Sequence, residues 1–200
     1  DQSLRFDDGD SAYLSWTPGS AGDRKTWTWS GWVKRGLQGS SQHLFDAYSD
    51  ASNRTFINID NSDLLGFKNV TGGSTDFHLQ TTQVLRDSGA WYHILVKYDS
   101  TPGTPGSSNV ALYINGEQVT ALGTESYPSQ NDETWVNNTV AHAIGRYGGG
   151  SAYFDGYLAE VYFIDGTALD ASSFGETDTA TGQWKPIDAS DLTFGTNGFY

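Results

Sequence analysis

The apolar residues of this chain alternate. In residues 26–34, TWTWSGWVK, one face carries Trp27, Trp29, Gly31 and Val33, and the other carries Thr28, Ser30, Trp32 and Lys34. Residues 91–99, WYHILVKYD, repeat the pattern, with Tyr92, Ile94, Val96 and Tyr98 opposite Trp91, His93, Leu95 and Lys97. A period of two is that of a strand with one buried face; an amphipathic helix needs 3.6. In residues 109–121 the alternation of Val110, Leu112 and Ile114 runs up to Asn115-Gly116. That pair tolerates φ > 0 and suits the tip of a type I′ hairpin. Further strands are expected at 3–6, 11–15, 43–48, 54–59, 64–70, 77–81, 140–146 and 153–164. Turn-rich loops separate them at 17–23 (TPGSAGD), 99–108 (DSTPGTPGSS), 123–133 and 147–151 (YGGGS). Only 167–175 (TALDASSFG) suggests a helical turn. About a dozen short strands between such turns predict an all-β chain folded as a two-sheet antiparallel sandwich. Trp27, Trp29 and Trp91 are expected in its core, and Trp32 on an outer sheet surface.

Composition narrows the classes of function. Eleven Lys+Arg against 24 Asp+Glu give a net charge of −13, so a phosphate backbone would be repelled and nucleic acid is excluded as a partner. Among the acids Asp outnumbers Glu 19 to 5, which favours loops over helices. No apolar run approaches the roughly 18 residues of a membrane span, and no membrane insertion is expected. The chain has no Cys, which removes disulfides and thiol chemistry, and no Met even at position 1, so it reads as excised from something longer.

Several segments in order resemble a known family: SLRF and AYL (3–14), TWTWSGWVKR (26–35), WYHILVKYD (91–99), ALYINGEQV (111–119) and FDGYLAEVYFIDGTAL (154–169). Over residues 3–170 they are similar to the laminin-G-like, concanavalin A-like jelly roll of lectins and glucanases. The resemblance implies two curved antiparallel sheets, a calcium ion at the sandwich edge, and a role in binding glycans or proteins. It divides the chain into a sandwich over 1–175 and an extension over 176–200 that packs on it or leads into a following domain. The wording of 172–184 (SSFGETDTATGQW) and 195–200 (GTNGFY) looks like modules of marine bacteriophage virion proteins. The expected function is therefore a non-enzymatic glycan-binding or structural adhesion module on a phage particle. Its partners would be a host cell-surface polysaccharide and other virion proteins, and a fibre setting would imply a homotrimer. The alternative is an ancillary carbohydrate-binding domain of a bacterial secreted enzyme or adhesin, secreted or at the bacterial cell surface.

The residues themselves offer little catalysis. A glucanase of this fold carries paired carboxylates on one strand face, as Glu-X-Asp-X-X-Glu. Here Glu117, Glu125, Glu133, Glu160 and Glu176 fall on no common strand, and His43, His78, His93 and His142 are scattered. His93 reads as a packing position, and Glu160, alone among apolar neighbours, as a buried hydrogen-bonding carboxylate. Hard cations want carboxylate and carbonyl oxygens, which Asp7-Asp8-Gly9-Asp10 and Asp60-Asn61-Ser62-Asp63 offer; Asp8 and Asp10 are the expected calcium ligands. Sugars stack on exposed aromatic rings set in polar loops. Trp135, Tyr147 and Tyr153 are accordingly expected to expose ring surface near one another, with Asn137 or Asp155 in hydrogen-bonding reach. Asp46 and Tyr48, at a strand end, join this candidate glycan site.

Overall fold

The structure, a computed structural model, describes residues 3–200. Its strands are β1 (Ser3–Phe6), β2 (Leu14–Trp16), β3 (Thr26–Arg35), β4 (Gln42–Asp50), β5 (Asn53–Ile59), β6 (Leu64–Thr71) and β7 (Ser74–Val84). Then come β8 (Tyr92–Asp99), β9 (Ala111–Ile114), β10 (Glu117–Gln118), β11 (Leu122–Ser126), β12 (Ala141–Ile144) and β13 (Gly156–Asp165). A single 3-10 turn (Ala171–Ser173) precedes the short strands β14 (Gly175–Thr177) and β15 (Trp184–Pro186). The strands form a six-stranded sheet, β1-β13-β3-β8-β9-β10, and a seven-stranded sheet, β11-β7-β6-β5-β4-β12-β2; β14 and β15 pair separately. Pairing is antiparallel throughout. This is the two-sheet sandwich that the alternation predicts.

The inward face of each strand builds one aromatic core. Trp27 stacks on Tyr98 (5.4 Å between centroids), Phe45 faces Phe163 across the sandwich (5.8 Å), and Phe67 meets Phe77 edge-on (4.9 Å). Trp27 and Trp29 are fully buried, and Trp27 Nε1 donates to Thr134 Oγ1 at 3.0 Å. The β9–β10 hairpin turns at Asn115 (φ 50°) and Gly116 (φ 84°), as the sequence predicts.

Several boundaries differ from the sequence reading. The strand expected at 11–15 starts only at Leu14, because Asp7–Ala12 closes as a turn in which Ser11 N bonds to Asp8 O (3.1 Å) and Ala12 N to Asp7 O (3.1 Å). The loop expected at 123–133 contributes β11, which pairs with a β7 longer than 77–81. Trp91, expected in the core, lies just before β8 and is only half-buried.

The chain beyond the 3-10 turn packs against the outer face of the six-stranded sheet. There Leu95, Tyr162, Ile164, Ala171, Phe174 and Ala189 form a second buried cluster. Thr28, Ser30 and His93, on the solvent side of the sheet by parity, are buried as well. Burying one large apolar side chain contributes about 1.5–3 kcal/mol. The extension is thus held by packing rather than left as a free tail.

Candidate functional site

β5 buries Thr55, Ile57 and Ile59 and therefore turns Arg54, Phe56 and Asn58 out of the seven-stranded sheet. Its partner β4 brings Tyr48 opposite Arg54 and Asp46 opposite Phe56. The loop after β12 reverses through Gly148-Gly149-Gly150, closed by Tyr147 N to Ser151 O (2.9 Å) and Gly150 N to Tyr147 O (2.9 Å). This reversal lays Tyr147 on the same outer face. Gly148 permits it: a Cβ there would stand 2.2 Å from the Tyr48 Cβ.

The result is a shelf of rings around one arginine. Tyr147 meets Tyr48 edge-on (5.2 Å) and lies 5.3 Å from the His43 ring. The Arg54 guanidinium carbon sits 4.9 Å from the Tyr147 ring centre and 5.3 Å from that of Phe56, and Nη1 donates to the Tyr147 hydroxyl. Its Nε is shielded and has no partner among the described residues. A hollow of about 300 Å³ opens here, lined by His43, Arg54, Phe56, Asn58 and Tyr147. Asp46 lies underneath, fully buried, with its carboxylate 2.8 Å from His43 Nδ1. Burial pushes the Asp46 carboxyl up, and the bond to His43 opposes that shift.

Of the residues expected to bind a ligand, Tyr48 and Tyr147 therefore meet on one surface, and Asp46 supports it from within without reaching solvent. The others go elsewhere. Among the described residues, no two of the Trp135, Tyr147 and Tyr153 rings pack together. Trp135 is half-buried and closes the end of the sandwich: its backbone N–H donates to Thr55 Oγ1 (2.7 Å) and its indole to Val70 O (3.1 Å). Tyr153 packs beside Tyr13 at 6.4 Å. Asn137 is fully buried, its amide donating to Asp23 O (2.7 Å) and Asp165 Oδ1 (2.9 Å), so no ligand can reach it. Its amide nitrogen ties the loop at Asp23 to the end of β13, while its Oδ1 is buried without a partner among the described residues.

Asp155 joins Asp7 and Asp8, and carboxylate oxygens of all three lie within 4.8 Å of one another. Burial pushes the Asp155 carboxyl up, and the charges of Asp8 and Asp7 add to it. Asp7 also accepts from Arg5 (3.0 Å) and Gly9 N (3.1 Å). Three crowded carboxylates are a hard-oxygen donor set that fits a divalent cation. Of the expected pair, Asp8 belongs to this cluster, and Asp10 is exposed and outside it. The other acidic loop is committed to structure. Asp60 caps its own turn, and Asp63 is buried between Arg35 (2.8 Å) and Arg86 (2.7 Å).

Sequence reasoning missed Arg54, whose only signal was its outward parity on the 54–59 strand. It also missed Trp184, which sits in a tail without periodicity. Glu160, expected to be buried, is half-buried at a β13 bulge (φ 48°) and accepts from the Tyr162 hydroxyl at 2.8 Å.

A laminin G family model of the concanavalin A-like lectin/glucanases superfamily matches residues 8–173. The chain belongs to this superfamily. No curated protein matches it. Among solved structures, it is similar to a heptameric SAP-like pentraxin from Limulus polyphemus (18% identity, TM-score 0.53, 78% of this chain and 70% of that one). It is also similar to the CBM40 of a Ruminococcus gnavus IT-sialidase bound to α2,3 sialyllactose (17%, 0.53, 80% and 94%). A third is domain 4 of AbnA, a GH43 extracellular arabinanase from Geobacillus stearothermophilus, in complex with arabinotriose (17%, 0.52, 76% and 65%). At these identities the shared property is the superfamily's sandwich.

Proposed function

We propose that the chain is a non-catalytic glycan-binding module whose site is the shelf of Tyr48, Arg54, Phe56, Asn58 and Tyr147. The observation that carries this reading is Arg54 held between the Phe56 and Tyr147 rings where it lines an open hollow together with Asn58. A pyranose ring can lie on the tyrosine faces while Arg54 and Asn58 hydrogen-bond its hydroxyls. The sialyllactose and arabinotriose complexes of similar sandwiches support a sugar as the ligand. A binding rather than hydrolytic role is supported by the glutamates: Glu117, Glu125, Glu160 and Glu176 lie on four different strands, and Glu133 is paired with Arg24.

The wording of 172–184 and 195–200 supports display on a bacteriophage particle alongside other virion proteins, and a fibre setting there would imply a homotrimer. Repetition there would compensate for weak single-site binding. A calcium ion on Asp7, Asp8 and Asp155 would neutralise the crowded carboxylates at the sandwich edge and stiffen the loop before β13.

A glycan array with wild type, Arg54→Ala and Tyr147→Ala, each with calcium and with a chelator, tests the reading. We expect either substitution to cost about tenfold or more in affinity, about 1.4 kcal/mol. Wild-type binding by Arg54→Ala would refute the site. Identical melting temperatures with calcium and chelator would refute the ion.

A further inference from the structure

On the opposite face of the sandwich the extension completes a groove walled by tryptophans. Trp32 leaves the six-stranded sheet on its outer side, and its cross-strand partner is His93, with ring centres 5.3 Å apart. Trp91, just ahead of β8, stands beside it. Trp184 comes from β15, beyond the family match that ends at residue 173. The three rings are shared by two adjoining hollows of about 350 and 680 Å³. One is bordered by Glu160 and Lys185, the other by Glu117, Thr177 and Gln183. Both volumes fall within the roughly 300–1,000 Å³ of small-molecule sites.

Trp184 is held before any ligand arrives. Its Nε1–H donates to His93 Nδ1 at 3.0 Å, and the two rings stack at 5.8 Å and 29°. Burial lowers the His93 pKa to about 4, so the imidazole is neutral and Nδ1 is free to accept. The network then assigns the proton to Nε2, which lies 2.8 Å from Ser30 Oγ. Asn115 at the hairpin tip ties the same residue down, its Oδ1 accepting from His93 N at 2.8 Å. Glycines make room for the indole: a Cβ at Gly116 or Gly175 would stand 2.5 or 2.6 Å from it. A ring fixed in this way loses little entropy on binding.

We infer that this tryptophan groove is a second ligand site, taking a neutral pyranose oligosaccharide. Indole faces match the apolar C–H faces of a pyranose, and the rim's carboxylates and amide can bond its equatorial hydroxyls. Charge argues against an anionic ligand. Glu117 and Glu160 border the groove, while its one cation among the described residues, Lys185, is already paired with Glu176 (3.3 Å) and Asp178 (3.1 Å). The inference does not rest on the Arg54 shelf. With both sites occupied, one molecule would bridge two glycan chains from opposite faces.

Two-dimensional NMR of the indole N–H signals tests this during titration with cellotetraose, laminaritetraose, mannotetraose and agarotetraose. The signals are assigned from Trp→Phe variants. We expect at least one probe to shift Trp32, Trp91 and Trp184 together and saturably. Trp91→Ala should weaken that probe about tenfold or more. Because Trp184→Ala also unpins the extension, Trp91→Ala carries the test, with its melting temperature as the folding control. Arg54→Ala should leave these shifts unchanged. The inference fails if no probe moves the three indoles, if the shifts survive Trp91→Ala, or if Arg54→Ala alone abolishes them. It also fails if a proline-rich peptide moves them and no oligosaccharide does.

Discussion

Replacing Asp63 with Asn should cost far more than a polar loop residue normally would. Arg35 ends β3 of the six-stranded sheet, and Asp63 sits between β5 and β6 of the seven-stranded one, so their ion pair clamps sheet to sheet. Arg35 has 0% of its side chain exposed and also donates to Leu85 O at 2.6 Å. Removing the carboxylate leaves this guanidinium buried with only neutral partners, which costs about 3–5 kcal/mol. Arg86, the other partner, is 62% exposed and can turn into water. Arg86→Ala should therefore cost no more than about 1 kcal/mol. At roughly 2–4 °C per kcal/mol for a domain of this size, Asp63→Asn should lower the melting temperature by about 6–20 °C, which calorimetry or circular dichroism would read. The pH dependence gives a second handle. Burial pushes the Asp63 carboxyl up, but the Gly39 N–H and the two guanidiniums outweigh it and hold the pKa at about 2 against the usual 3.8. A depressed folded-state pKa means that this stabilisation is complete above about pH 4 and is lost as pH falls towards 2. Asp63→Asn should flatten the wild-type decline across that window. A loss below about 1 kcal/mol, or an equal loss in Arg86→Ala, would refute the clamp.

Phe174 is 2% exposed and packs against Tyr162 at 5.4 Å, so Phe174→Ala should cost about 3–5 kcal/mol and open the extension to protease. Unchanged stability and cleavage pattern would contradict the second cluster. Burial lowers the pKa of His93 and of His142 to about 4, so both imidazoles stay neutral well below the 6.5 of a free histidine. Unfolded chains take up these protons first, so stability should be complete above about pH 6.5 and fall as pH drops towards 4. Imidazole NMR shifts that titrate near 6.5 in the folded protein would overturn this.

The features legible in the sequence are those decided locally. Alternation along TWTWSGWVK and WYHILVKYD is a property of neighbouring residues, and it predicts Trp27 and Trp29 inside and Trp32 outside. Asn115-Gly116 turns the hairpin because both residues accept positive φ. The order of such segments resembles the superfamily whose family model matches residues 8–173.

Parity along a strand says which way a side chain points, but not what covers it. Trp91, expected in the core, shares the outward parity of His93 and Lys97, and it stands before β8 at a groove where Trp184 and the extension build the opposite wall. The same cover buries His93, Ser30 and Thr28 on a face that the pattern marks as solvent. Long-range pairings decided the rest. Asn137 is consumed by Asp23 and Asp165, more than twenty-five residues away in sequence, and Asp155 meets Asp7 and Asp8 from the far end of the chain. Each juxtaposition depends on which strands neighbour one another in the two sheets. That order is set by how the whole chain buries its apolar faces, and no single segment contains it.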